Sequence, residues 1–488
     1  MEGPFAGVSD LDGYRVEADR FLSALEEELY LHYSGLKDTL GLEAVYERFA
    51  DLTTLSTCRE LELDSAPLWR FACEGYLGRL TRQQGERIAE LEATLEAELD
   101  GDLVGFRMLL PRIANEPDRE RRERVERARV SLAEELNPTY ADAFERARGA
   151  VRELGTETYR ELYERFGFQL EPLAAQCSRF LTETEDLWVD TFDRLLQDRV
   201  GVGLADARRS DLPRVLRAAP WDAVFTAEGM LPALEATLEG LGIDLDSQPN
   251  VHLDVEQRRT KSPRAFCSPI EVPGRVVLVI QPIGGLDDWR ALFHEAGHVE
   301  HFAHVSPSLP FEARRLGDDA VTEGFAFLLE HLVTDPVWLG RRLDVGRLDE
   351  IARESATVLL YYVRRYCSKL LYELELHAGG ELDAMPARYV DRMRDATKID
   401  FPEVDFLADV DPGFYCSCYL RAWALEAELV RFLREAHGRA WFANRKAGSL
   451  LRELWNEGQG MTADEIAAEL TGSSLDLEAV AEAIRASL

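Results

Sequence analysis

Residues 291–304 read ALFHEAGHVEHFAH. Two histidines, His294 and His298, stand four apart, with Glu295 directly after the first. On a helix that spacing puts both imidazoles on one face, one turn apart. Two neutral ring nitrogens so placed can reach one zinc ion at about 2.0–2.1 Å each. Glu295 would then lean over a water on that ion and serve as general base, the chemistry of metal-assisted hydrolysis. Ala291, Leu292, Phe293 and Val299 make the segment apolar enough to be buried. The plainer alternative is a packed helix whose histidines are satisfied by neighbours.

A catalytic zinc needs a third protein ligand and one open position. Downstream candidates are Glu300, His301, His304, Glu312, Asp318, Asp319, Glu323 and Glu330. Helical geometry turns Glu300 away from the His294/His298 face, and His301 and His304 drift off it. Residues 319–332 (DAVTEGFAFLLEHL) form an apolar helical run, and a carboxylate buried there at Glu323 needs a partner charge, which zinc would supply. A first-turn glutamate favoured by the helix dipole is the alternative for Glu323. Glu330, and less strongly Asp319, could orient a ligand histidine from behind.

The elements that must carry these residues are mostly helical. Apolar residues recur at three and four positions across 16–33, 85–99, 117–136, 139–154 and 171–198. Asn137-Pro138 reads as a break between two helices, because a residue before proline avoids the helical region. The texture changes near 242. Residues 251–253, 265–267 and 275–281 are short, β-branched and bounded by proline or glycine, so they read as strands, with a turn at Pro273-Gly274. The chain therefore divides into a helical N-terminal lobe at 1–245, a catalytic region at 246–435 and a helical C-terminal segment at 436–488. The run Val276, Val277, Leu278, Val279, Ile280 and Gln281 is the best candidate for an edge to which an extended peptide could add, the alternative being a buried strand with no role toward substrate.

Composition limits the partners. With 56 basic and 90 acidic residues the formal charge is −34, which repels phosphate backbones and anionic lipid surfaces. Nucleic acid and membrane are therefore not expected partners. No run has the 18 or so apolar residues of a membrane span. The stretch 1–21 is acidic and lacks a secretory pattern. Seven scattered cysteines make neither a disulfide framework nor a zinc knuckle. Reduced thiols and a cytoplasmic setting are the expectation. Oligomeric state is not legible.

On these residues, the chain resembles the thimet oligopeptidase and oligopeptidase F family of zinc peptidases. The family motif, His-Glu-x-Gly-His-x-x-His, is matched by His294, Glu295, Gly297, His298 and His301. Glu323 stands where that family places its glutamate ligand, and Glu330 matches a further family glutamate. The likeness runs over roughly 246–430, through 261–266, 275–281, 285–288, 372–374 and 412–423. It implies a mainly α fold, two helical lobes around a deep channel with a small β-sheet beside the zinc helix. It also implies one Zn2+ per chain and short unstructured peptides as substrates. The family's tyrosines in the last segment donate hydroxyls to the substrate carbonyl, a role that would fall to Tyr419 and then Tyr415. Gly413 replaces the family's histidine, and Arg421 and Trp423 replace two tyrosines; Arg421 would then pair with a carboxylate of the substrate. The rival readings are a metallocarboxypeptidase of related fold and a zinc-binding homologue with altered catalysis.

Overall fold

Helices make up 71% of the structure and strands 5%, so the chain is mainly α, as its periodicity predicts. The structure is a computed structural model that describes residues 10–262, 264–343 and 346–488. Residues 1–9 of the acidic N-terminal stretch, and Pro263 within 261–266, lie outside the described residues. Contacts divide the chain into two compact units. The first joins Met1–Ala72, Ala219–Ala352 and Arg421–Ala483; the second joins Cys73–Ala218, Arg353–Leu420 and Ile484–Leu488. Each unit thus draws on separate stretches of sequence, cut at places other than 245 and 435.

Seven helices carry or brace the candidate site residues: α1 (Leu11–Tyr33), α2 (Leu286–His304), α3 (Asp319–Leu332), α4 (Leu348–Leu376), α5 (Tyr415–His437), α6 (Arg445–Asn456) and α7 (Ala463–Thr471). A hairpin of β1 (Glu96–Leu99) and β2 (Asp102–Gly105) belongs to the second unit. The first unit holds a three-stranded sheet of β3 (Val251–Asp254), β4 (Phe266–Glu271) and β5 (Arg275–Val279). Its order is β3-β5-β4, with β3 parallel and β4 antiparallel to β5. The turn expected at Pro273-Gly274 joins β4 to β5.

The expected peptide-binding edge needs correction. Val276, Val277, Leu278 and Val279 lie on the central strand, and Ile280 and Gln281 follow it. Val276 to Ile280 are at most 2% exposed. The run is apolar because it is flanked on both sides and covered on its faces, not because it waits for a partner. The edges are β3 and β4. Beneath the sheet, Tyr30 of α1 packs against Ile270, Val277 and Val279.

Local readings shift where tertiary contacts intervene. Arg119–Glu153 is one continuous helix with Pro138 inside it. Proline costs a helix interior about 3 kcal/mol. Here the preceding turns bury Ala133 and Leu136, the far end of the helix buries Ala150 and Val151, and Asn137 donates to the Val404 carbonyl at 3.0 Å. Residues 85–99 end as strand β1, because 96–99 pair with β2. The stretch 171–198 is two helices, Leu170–Glu183 and Glu185–Val200. At their junction buried Arg364 donates to Leu181 O and Thr184 Oγ1, both at 2.7 Å, satisfying groups the first helix leaves at its end. Among the described residues no helix is long and apolar enough to cross a membrane.

Candidate metal centre

Helix α2 starts where Gly284 and Gly285 take φ values of +90° and +93°, a region that side chains rarely occupy. Asp288 accepts from the Ile283 and Gly284 amides at 2.7 and 2.9 Å, fixing the entry turn. One face then buries Leu286, Trp289, Leu292, Phe293, Ala296 and Val299. Each of the larger aliphatic and phenyl side chains contributes on the order of 1.5–3 kcal/mol. Trp289 and Phe293 both meet Trp338 edge-on, and the Trp289 indole donates to Thr226 O at 2.9 Å.

Helix α3 crosses α2 at near backbone contact, and a glycine makes this possible, while a second glycine lets α5 approach α3. A Cβ on Gly297 would lie 2.5 Å from Ala326 Cα and 2.6 Å from Phe325 O. A Cβ on Gly324 would lie 2.7 Å from Leu425 Cδ2 on α5. The glycine between the two histidines therefore has a packing reason. It brings Glu323 within reach of both rings.

The three donors converge. His294 Nε2 lies 3.3 Å and His298 Nε2 3.6 Å from Glu323 Oε2, and one ligand atom from each residue lies within 4.8 Å of the others. The opposite ring nitrogens are held from behind. His294 Nδ1 sits 3.0 Å from Glu330 Oε2, and His298 Nδ1 sits 2.8 Å from Thr322 Oγ1. With its proton on Nδ1, each ring donates to that partner and turns its Nε2 lone pair to the shared point. Glu330 is itself held by Arg290, through Nε at 2.8 Å and Nη2 at 2.6 Å. Two imidazoles and a carboxylate at this spacing are a donor set that suits zinc.

The electrostatics agree with a cation there. Burial disfavours charge on His294, but Glu323 and Glu330 outweigh it and push the ring up to about 10. Burial acts against the Glu323 anion, yet His298 and His294 hold its carboxyl well below the usual range. For Glu330, burial is overcome by Arg290 and His294, and its carboxyl falls to about 2. The field that favours a proton on His294 favours a metal cation at the same point. Glu295 takes the other direction: burial raises its carboxyl against the pull of His298 and His294. Its Oε2 accepts from the Cys267 amide on strand β4 at 2.8 Å.

The remaining candidate ligands are engaged elsewhere. His301 is fully buried, faces Gly458 O at 3.2 Å, and is lowered by burial to about 3. His304 Nδ1 lies 2.8 Å from Glu300 O, and Glu300 accepts from Gln248 at 3.1 Å. Glu312 pairs with Arg15 at 2.9 Å. Asp319 accepts from Gln459 Nε2 at 3.2 Å instead of backing a histidine, so its expected supporting role is corrected. Thr322, Arg290 and the Cys267 amide were not legible as site residues. Arg290 carried a signal: it stands four before His294, on the same helix face.

The segment 412–423 departs from its expected roles. Arg421 binds Asp318 through two contacts, Nη1–Oδ1 at 2.8 Å and Nη2–Oδ2 at 2.7 Å, and reaches Asp464 at 2.7 Å. A guanidinium so committed to the protein's own carboxylates is not placed as a substrate carboxylate's partner, which corrects that expectation. Trp423 stacks on Phe327 at 5.1 Å, and Phe327 meets His294 edge-on at 5.1 Å. Gly413 has φ +70°, where an L side chain is strained, and a Cβ there would sit 3.0 Å from the Tyr163 hydroxyl, so a histidine would need both backbone strain and a shift of Tyr163. Tyr415 and Tyr419 belong to the second unit. There their rings pack edge-on at 5.1 Å, and Tyr366 packs on Tyr419 at 5.4 Å. Compared with protein-family models and with curated proteins, the chain matches none.

Proposed function

We propose that the protein is a zinc-dependent peptidase acting on short unstructured peptides, of the kind its motif resembles. The observation that carries this reading is the convergence of His294 Nε2, His298 Nε2 and Glu323 Oε2, with each histidine's Nδ1 anchored from behind. Those three residues would hold one zinc ion. Bound there, zinc would supply Lewis-acid polarisation of a carbonyl and of a water. The protein's own part is proton transfer. With Oε2 held by the Cys267 amide, Glu295 receives a proton at Oε1 and returns it to the leaving amine. Its raised carboxyl makes the protonated form easier to reach, as a base that must also act as an acid requires. A peptide adding to the sheet here would pair with β3 or β4 and not with β5.

Digestion of a mixed peptide library, read by mass spectrometry, tests the reading. Wild type should make internal cuts, and Glu295→Gln should keep one zinc per chain while hydrolysis falls about 10²–10⁴-fold. Cleavage by Glu295→Gln at the wild-type rate would reject Glu295 as the base. Stepwise loss of single C-terminal residues would identify a carboxypeptidase instead. Zinc binding without any cleavage would support the altered homologue, a reading that Gly413 in place of a histidine favours.

A further inference from the structure

Helix α3 delivers the carboxylate ligand, so its axial position and rotation decide where Glu323 lies. A slip of one residue would move that side chain by about 1.5 Å along the axis and by about 100° around it. A productive metal or catalytic site tolerates only about 0.5 Å. The helix entrance is held by contacts from distant parts of the first unit. Arg70 Nη2 donates to the Leu316 and Gly317 carbonyls, each at 3.0 Å. A Cβ on Gly317 would lie 1.9 Å from Gln459 O, so the two backbones touch.

The N-cap Asp318 is the centre of this corner. Its Oδ1 accepts from Ala320 N at 3.1 Å and from Arg421 Nη1 at 2.8 Å. Its Oδ2 accepts from Arg421 Nη2 at 2.7 Å and from Ala463 N, the first residue of α7, at 2.9 Å. Arg421 and Asp318 side chains are 25% and 11% exposed, enough burial for the pair to be rigid. From the same helix α5, Leu425 closes on Gly324 and Trp423 stacks on Phe327. Helix α5 thus contacts α3 at its cap and beside its ligand through Arg421 and Leu425, one turn apart, and one turn beyond the ligand through Trp423.

We propose that Arg421 is a positioning residue for the metal centre: its two-pronged hold on Asp318 sets the placement of α3, and through it the meeting of Glu323 with His294 and His298. The inference rests on the metal-site reading above. A two-pronged contact fixes orientation as well as distance, which a single ammonium cannot do.

The test uses the full chain, stripped of metal and titrated with zinc against a competing chelator. Cobalt(II) is added separately as a spectroscopic probe of the ligand geometry. Arg421→Lys keeps a positive charge beside Asp318 but loses the paired geometry. Its zinc dissociation constant should rise about 10–100-fold, as for other residues that orient a ligand. Its cobalt absorption bands should change position or intensity, which a purely stabilising contact would not cause. Should Arg421→Lys not fold, Asp464→Asn removes only the more exposed of the two carboxylate contacts and should weaken zinc several-fold. Wild-type zinc affinity and cobalt spectrum in the folded variant would overturn the proposal while leaving the metal site intact. Wild-type zinc binding that is indifferent to His298→Ala would overturn the metal-site reading, and this proposal with it.

Discussion

Two groups of side chains that could hold a metal ion occur among the described residues, and their surroundings differ. Glu373, Asp411 and Cys416 in the second unit come as close together as His294, His298 and Glu323 do in the first. The second group is already neutralised from within. Lys369 Nζ lies 2.8 Å from Asp411 Oδ1, and its side chain is 5% exposed. Glu373 accepts from the Asp411 amide at 2.8 Å and from the Cys416 thiol at 3.2 Å. Burial, opposed by Lys369, pushes the Glu373 carboxyl up to about 8, and burial together with Glu373 pushes the Cys416 thiol well above its ordinary value. The donors of this group are protonated or paired with an ammonium. Those of the first have their rear atoms anchored and their lone pairs directed at one point. Proximity of ligand-type residues is therefore a weak criterion, while the anchoring of the rear ring atoms discriminates.

The comparison breaks most readily at the ligands. Glu323→Gln should weaken zinc by more than the roughly 10–100-fold typical of an outer-sphere partner, since it removes a ligand outright. Metal analysis after dialysis checks this, and tight stoichiometric zinc in that variant would move the third ligand elsewhere. Gly297→Ala comes next, because its methyl would meet the Ala326 backbone at 2.5 Å. Forced overpacking costs about 1–3 kcal/mol, so a lower thermal midpoint and weaker zinc are expected together. Chemical denaturation and chelator competition on the same sample measure both.

Smaller effects sharpen the contrast. Thr322→Val keeps shape but loses the hydroxyl behind His298, and should weaken zinc about 10-fold, at the low end for such partners. An unchanged affinity would mean that Thr322 Oγ1 does not hold the ring. In the second group, Glu373→Gln should leave zinc content unchanged and alter only stability. The Glu373 carboxyl is raised from 4.5 to about 8, so the folded state keeps a proton that the unfolded chain has lost in that window. Stability from this residue is then complete below about pH 4.5 and declines as pH rises to 8. Glu373→Gln should remove that decline and raise the thermal midpoint above pH 8, each kcal/mol relieved being equivalent to about 2–4 °C. Thermal scans from about pH 5 to 9 check this, and loss of a bound metal in Glu373→Gln would collapse the distinction between the two groups.

Much of the first site was legible because it is local. His294, Glu295 and His298 lie within two turns of one helix, where spacing alone determines which side chains share a face. The helical character of α3 and the burial of Glu323 followed from an apolar run. The mainly α class followed from periodicity summed over many segments. Strand order was different. Of the expected strand 275–281, Arg275–Val279 forms β5, but a β-branched run is compatible with a centre or an edge, and pairing with both β3 and β4 made it the centre.

What the sequence by itself determined is the chemistry on offer: two imidazoles and a carboxylate at helical spacing, and a second glutamate on an apolar helix. Tertiary structure decided which of eight candidate carboxylates and imidazoles meets those rings, because that choice depends on how closely α2 and α3 cross. Gly297 permits that crossing, but a glycine's value lies in the neighbour it lets approach, and the neighbour is remote in sequence. The same reason applies to Arg421. Its charge suggested a substrate carboxylate, but Asp318, 103 positions away, occupies its two nitrogens. Local spacing sets which groups can act together; long-range packing sets which of them do.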